Sequence, residues 1–113
     1  MTRLTLRVDL GPDARLGPGK IMLLEAIAEH GSISAAGRAL GMSYRRAWTL
    51  TDELNHLFSG PLVEAAQGGS GGGGAALTKL GVEVVNRYRR IEQTAADAAK
   101  TDLHALGRLR GRS

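Results

Sequence analysis

The stretch 32–57, SISAAGRALGMSYRRAWTLTDELNHL, decides the fold. It reads as a short helix, a tight turn at Gly41-Met42-Ser43, and a second helix opening with Tyr44-Arg45-Arg46. Two helices that cross steeply need small residues where they touch and a glycine where the chain reverses. Ala35, Ala36, Gly37 and Gly41 stand where those needs fall. The second helix carries two adjacent guanidinium groups in its first turn, the part of such a helix that reaches base edges. A DNA-reading helix-turn-helix is the expectation.

Working outward, residues 3–10 alternate strictly, with Leu4, Leu6, Val8 and Leu10 on one side and Arg3, Thr5, Arg7 and Asp9 on the other. A period of two predicts a half-buried strand. Gly11-Pro12-Asp13 is turn chemistry, so Ala14-Arg15-Leu16 is expected to return as a short partner strand. A first helix is predicted from about Pro18 to His30, with Ile21, Leu24, Ile27 and Ala28 on its core stripe, Lys20, Glu25 and Glu29 towards water, and Gly31 as its left-handed cap. Ser32 or Ser34 caps the next helix, which runs roughly from Ser34 to Leu40, and Ser43 caps the third. Ala47, Leu50, Leu54 and Leu57 form the core face of that third helix, which is expected to stop before Gly60-Pro61.

Beyond it, Leu62–Ala66 and Ala75–Leu77 flank a glycine-rich tip and predict a hairpin, the wing that follows many helix-turn-helix units. Thr78 then caps a final helix expected to continue to about Leu106. Its apolar positions are Leu80, Val84, Tyr88, Ile91, Ala95 and Ala98, drifting later to Ala99, Leu103 and Leu106. A helix this long on so small a domain has more apolar stripe than its own core can cover, so a second copy is its expected partner.

At 113 residues the chain has room for one domain and an appended element. The 42% hydrophobic fraction is enough for a single core, necessarily aliphatic, because Tyr44, Trp48, Phe58 and Tyr88 are the only aromatic residues. Absence of cysteine excludes disulfides, thiol nucleophiles and Cys-based metal sites. No apolar run approaches the ~18 residues of a membrane span, and the N-terminus lacks a signal-peptide core. A cytoplasmic protein without membrane association is expected. The net charge of +4 favours a polyanionic partner. Residues 79–113 hold eight bases against four acids, and 108–113 read as a disordered basic tail.

An isolated pair of exposed arginines is ordinarily solvated charge. Two and three residues after a helix-turn-helix turn, Arg45 and Arg46 become candidate DNA readers, since arginine is the commonest bidentate partner of guanine. Which of them reads bases and which grips phosphate is open at this level. Tyr44 and Thr49 can add a phosphate hydrogen bond or a thymine-methyl contact. Trp48 is assigned a structural role at the helix–wing junction in preference to base stacking. Ser32 and Ser34 cap the preceding helix, where free amides also suit a phosphate. The glycine tip is not a Walker A loop, because Gly74 is followed by Ala75-Ala76-Leu77 and not by Lys-Ser/Thr. With no Lys or Arg it is expected to touch DNA weakly. His30, His56 and His104 are scattered without metal-like spacing, and no nucleophile–base pair can be assembled. Neither an enzyme nor a cofactor or metal is expected.

With these features in hand, the chain resembles the N-terminal winged-helix domain of ModE-type molybdate-responsive regulators, related to the LysR type. The matching blocks are Gly17–Ile27, Gly31–Ala36, Gly41–Trp48, Pro61–Glu64, Gly68–Ala75, and Leu77-Thr78 followed by Gly81. The resemblance covers about residues 4–95. It implies a homodimer on a palindromic operator, with Ser43, Tyr44, Arg45 and Arg46 at the major groove, and a link to molybdenum. It also implies dimerisation through the first strand and last helix, hence Leu4, Leu6, Val84, Tyr88, Ile91 and Ala95. Full-length members carry C-terminal oxyanion-binding modules, and this chain ends before any such module, so direct molybdate binding is not expected of it.

The expected fold is mainly α with a small β component: a winged helix-turn-helix with an N-terminal strand, a glycine-rich wing and a long C-terminal dimerisation helix. Residues 1–78 form the DNA-binding domain, 79–107 the dimerisation helix and 108–113 the tail. The partners are double-stranded DNA and a second copy. The competing class is a winged-helix interaction module acting with a separate sensor protein. A weaker third is an oxyanion binder using the glycine-loop amides.

Overall fold

The computed structural model describes residues 2–67 and 73–111. A hairpin comes first, with β1 (Val8–Gly11) antiparallel to β2 (Ala14–Leu16). The ladder begins only at Val8, although the strand was expected from residue 3. β2 is three residues long and Gly17-Pro18 ends it, so among the described residues no strand pairs with residues 2–7. The alternation still shows in burial: Leu4, Leu6 and Val8 are half-buried, and Arg3, Thr5 and Arg7 are exposed. Leu10 departs from it at 48% exposure. The register slips between Asp9 and Gly11, and one extra residue in a strand turns the following side chain off its face.

Helix α1 (Pro18–His30) has the predicted bounds, with proline in its first turn and Gly31 at φ 74° closing it. It touches α2, α3, α4 and β4, so its burial is broader than one stripe. Ile21, Leu23, Leu24, Ala26 and Ile27 are all buried, while Ala28, expected inside, is exposed. α2 (Ile33–Ala39) is capped by Ser32, whose Oγ accepts from Ala35 N at 3.0 Å; Ser34 is not the cap. Gly41, at φ 71°, reverses the chain into α3 (Tyr44–Leu54), capped by Ser43.

α3 ends earlier than expected, because Asn55 leaves the helix to bind the next strand. Its Oδ1 accepts from Leu62 N and Val63 N, both at 2.9 Å, and its Nδ2 donates to Val63 O at 3.2 Å. That junction starts the wing, β3 (Val63–Ala66) paired with β4 (Gly74–Leu77) in unbroken register from Val63↔Leu77 to Ala66↔Gly74. Ala75 N donates to Gly31 O at 2.8 Å, so the wing is anchored to the end of α1. The central part of the glycine tip lies outside the described residues.

Thr78 caps α4 (Lys79–Ala98) through Gly81 N. The single helix expected to about Leu106 is two, for the chain turns at Ala99 (φ −95°, ψ 6°) into α5 (Lys100–Leu109). No proline or glycine marks this turn. α5 comes back beside the N-terminal segment, where Gly107 stands against the Thr2 side chain. Arg108 and Leu109, expected in the tail, are helical, and residues 112 and 113 lie outside the described residues. Among the described residues, no helix is long and apolar enough to cross a membrane.

Candidate nucleic-acid interface

The two helices of the helix-turn-helix meet closely where Gly37 faces Ala47. Gly37 of α2 lies so near Ala47 of α3 that an added Cβ would stand 2.9 Å from the Ala47 Cβ. The turn is fastened by Met42 N donating to Gly37 O at 2.8 Å. On α3, Ala47 and Leu54 are fully buried. Thr51 joins them at 3% exposure, with Oγ1 donating to Ala47 O at 2.8 Å, a core role the sequence did not signal. A threonine can enter an apolar core this way because the carbonyl one turn back accepts its hydroxyl proton.

The opposite side of α3 is open. Ser43, Tyr44, Arg45, Arg46 and Thr49 are all exposed, Tyr44 at 65%. Ser43 Oγ is engaged by Arg46 N at 3.1 Å. Neither Arg45 nor Arg46 has an ion-pair partner among the described residues. Trp48, expected in a structural role at the helix–wing junction, is not part of the buried core. It is 46% exposed, and its ring meets Tyr44 at 6.0 Å and 55°, one turn apart on the same flank. The step of one residue from buried Ala47 rotates it about 100° out of the core. Ser32 and Ser34, both half-buried, stand at the start of α2.

Of the six positions named for dimerisation, Val84 (7% exposed) and Tyr88 (1%) already lie in the chain's own core. The Tyr88 hydroxyl donates to Leu6 O, tying α4 to the N-terminal segment. Burial raises its phenol pKa, Glu92 adds to the rise and Arg89 opposes it. Leu4, Leu6 and Ala95 are half-buried and Ile91 is 48% exposed. Ile91 and Ala95 share an apolar face with Thr94 and Ala98, flanked by Arg87 and Arg90.

One further tie was not foreseen. Arg89 donates to Glu25 through two nitrogens at 2.6 and 3.0 Å and to Glu92 at 2.7 Å, clamping α4 to α1. These bonds hold the guanidinium protonated far above its ordinary range. Arg89 and Glu92 are three apart, a spacing visible in the sequence; Glu25, sixty-four residues away, gave no signal.

A helix-turn-helix, a hairpin wing and a cation-bearing outer helix face define a winged-helix DNA-binding unit. The chain belongs to the lysR family of bacterial regulatory helix-turn-helix proteins, whose model matches residues 19–82. It is 43% identical over 88 residues to the DNA-binding transcriptional dual regulator ModE of Escherichia coli, covering 75% of this chain and 34% of that protein. It is 47% identical over 78 residues to the molybdenum-pterin-binding protein MopA of Rhodobacter capsulatus, covering 69% of this chain and 29% of MopA. With the molybdenum transport protein ModE of Azotobacter vinelandii it shares 40% identity over 109 residues, 94% of this chain and 40% of the relative. The chain thus spans well under half the length of these relatives.

Proposed function

We propose that the protein is a DNA-binding transcriptional regulator of the ModE type that reads a palindromic operator as a homodimer. The observation that carries the proposal is the outer face of α3, where Arg45 and Arg46 stand exposed beside Tyr44 and Thr49, with no acidic partner among the described residues. Ser43 caps that helix, and Ser32 and Ser34 start the helix before it, a position suited to the phosphate backbone. The dimer surface is the outer side of α4 around Ile91 and Ala95, continued by Leu4 and Leu6; Val84 and Tyr88 support it from within. Two recognition helices related by a two-fold axis would stand one DNA turn apart, ~34 Å. Relatives known as a molybdenum-pterin-binding protein and a molybdenum transport protein support a link between this regulator and molybdenum.

The test is selection of binding sites from genomic fragments by the purified protein at near-physiological salt, with mass measured by light scattering. An enriched palindrome and a dimeric mass are the expected results. A monomer on and off DNA, or no enrichment above bulk binding, refutes the proposal. A stable complex with a sensor protein and no DNA affinity would favour the interaction-module alternative.

A further inference from the structure

Resting on that DNA-binding reading, we infer that Arg45 reads bases, whereas Arg46 works with Arg15 of the N-terminal hairpin to grip the phosphate backbone beside the groove. The division follows from the angular order around α3, at ~100° per residue. Taking fully buried Ala47 as the direction of the core, Leu54 and Thr51 fall within ~40° of it, in keeping with their burial. Arg45 lies ~160° away and Thr49 ~160° round the other side, so both face straight out. Arg46 is only ~100° from the core direction, on the flank opposite Trp48 and Tyr44. A helix ~10–12 Å across fills a major groove ~12 Å wide. Its outermost side chains then meet base edges and its flanks meet the two phosphate walls.

The flank of Arg46 is shared. Arg46 lines an open cleft with Arg15, Gly17, Lys20, Met42 and Leu50. Lys20 is committed there, its Nζ donating to Arg15 O at 2.9 Å and standing 3.6 Å from the Glu53 carboxylate. Glu53 is thereby matched by Lys20, and the Arg15 and Arg46 guanidinium groups have no ion-pair partner among the described residues. Two unmatched guanidinium groups on one cleft call for an anion with several oxygens. A phosphodiester on the wall of the groove that Arg45 enters meets that need. The β1–β2 hairpin thus acquires a place at the DNA, although no sequence motif marks it.

The experiment compares the unaltered protein with Arg15→Ala, Arg46→Ala and Arg45→Ala by fluorescence anisotropy, on the selected operator and on a scrambled duplex, over a series of salt concentrations. Arg15→Ala and Arg46→Ala should each lower the log–log salt slope by about 1 and weaken both duplexes by the same factor. Arg45→Ala should reduce the operator-to-scrambled ratio on the order of 10- to 100-fold, the range for one bidentate base contact. All three side chains are exposed, and circular dichroism checks that the variants fold. An unchanged slope for Arg15→Ala, or a collapsed ratio for Arg46→Ala, overturns the assignment while leaving operator reading intact. Absence of salt-sensitive binding by the unaltered protein overturns the DNA-binding reading, and the assignment with it.

Discussion

Replacing Gly37 with alanine sets two effects of opposite sign against each other. Alanine is favoured over glycine inside a helix by about 1 kcal/mol, so propensity alone says that Gly37→Ala stabilises α2. The tertiary structure says the reverse. The new Cβ would sit 2.9 Å from the Ala47 Cβ, where carbon atoms in good contact are ~3.5–4.0 Å apart. Neither carbon can rotate away, because each is bonded directly to its backbone. α2 and α3 must therefore move apart, and overpacking of this kind costs ~1–3 kcal/mol. The displacement also loads the turn that Met42 N makes on Gly37 O. Set against the propensity gain, this leaves an expected net loss of up to about 2 kcal/mol, with melting lowered by roughly 4–8 °C per kcal/mol. Urea unfolding followed by far-UV circular dichroism measures it. A second arm isolates the cause: Ala47→Gly removes the opposing methyl. The double variant should then be more stable than the two single losses sum to, by at least about 1 kcal/mol. A Gly37→Ala protein stabilised by the full ~1 kcal/mol that helix propensity gives, or a cycle that is simply additive, would refute the close-contact argument.

Other consequences follow from the same structure. Asn55→Ala removes the three hydrogen bonds that fasten β3 to the end of α3 and leaves two part-buried backbone amides unpaired, so a loss of ~2–4 kcal/mol is expected in urea unfolding; a loss under ~0.5 kcal/mol would show the wing to be held elsewhere. Tyr88 bears on pH: its folded phenol pKa lies above the ordinary 10.0, so the unfolded form loses its proton first. The stability contributed by neutral Tyr88 is complete below about 10 and is lost as pH rises through the folded value. Tyr88→Phe should flatten that alkaline decline, and an undiminished decline would assign it to another group. Arg89→Met breaks the clamp on Glu25 and Glu92; with the side chain 39% exposed, solvent screening limits the cost to about 1 kcal/mol. A double-mutant cycle with Glu25→Gln checks it, and zero coupling would mean the clamp contributes nothing.

Local patterns were sufficient for most of the helix-turn-helix and the wing. The bounds of α1, the left-handed glycines 31 and 41, the caps at Ser43 and Thr78 and the β3–β4 hairpin all depend on residues within a few positions of one another. Such features are set by backbone sterics and by hydrogen bonds that close over one turn. The run of exposed residues at the start of α3 was legible for the same reason: Ser43 and Gly41 placed the helix, and its period then turned Arg45 outward.

What lies across the chain was not legible. The apolar stripe of α4 was one continuous pattern in the sequence, yet its first half, with Val84 and Tyr88, is core and Ile91 is surface. Periodicity shows which side chains share a face; what covers that face depends on where α1 and residues 2–7 run. Trp48 was expected in a structural role at the helix–wing junction, and in the structure its ring stands exposed beside Tyr44 on one flank of α3. The turn at Ala99 has no breaker residue and was missed. The pairing of Arg89 with Glu25, and the cleft that Arg15 shares with Arg46, join segments 64 and 31 residues apart. The sequence by itself determined the helices, their caps and the outward arginines, because local sterics and hydrogen bonding act between near neighbours. Tertiary structure alone decided which faces are buried and which distant charges meet, because those outcomes depend on packing between elements that no local pattern encodes.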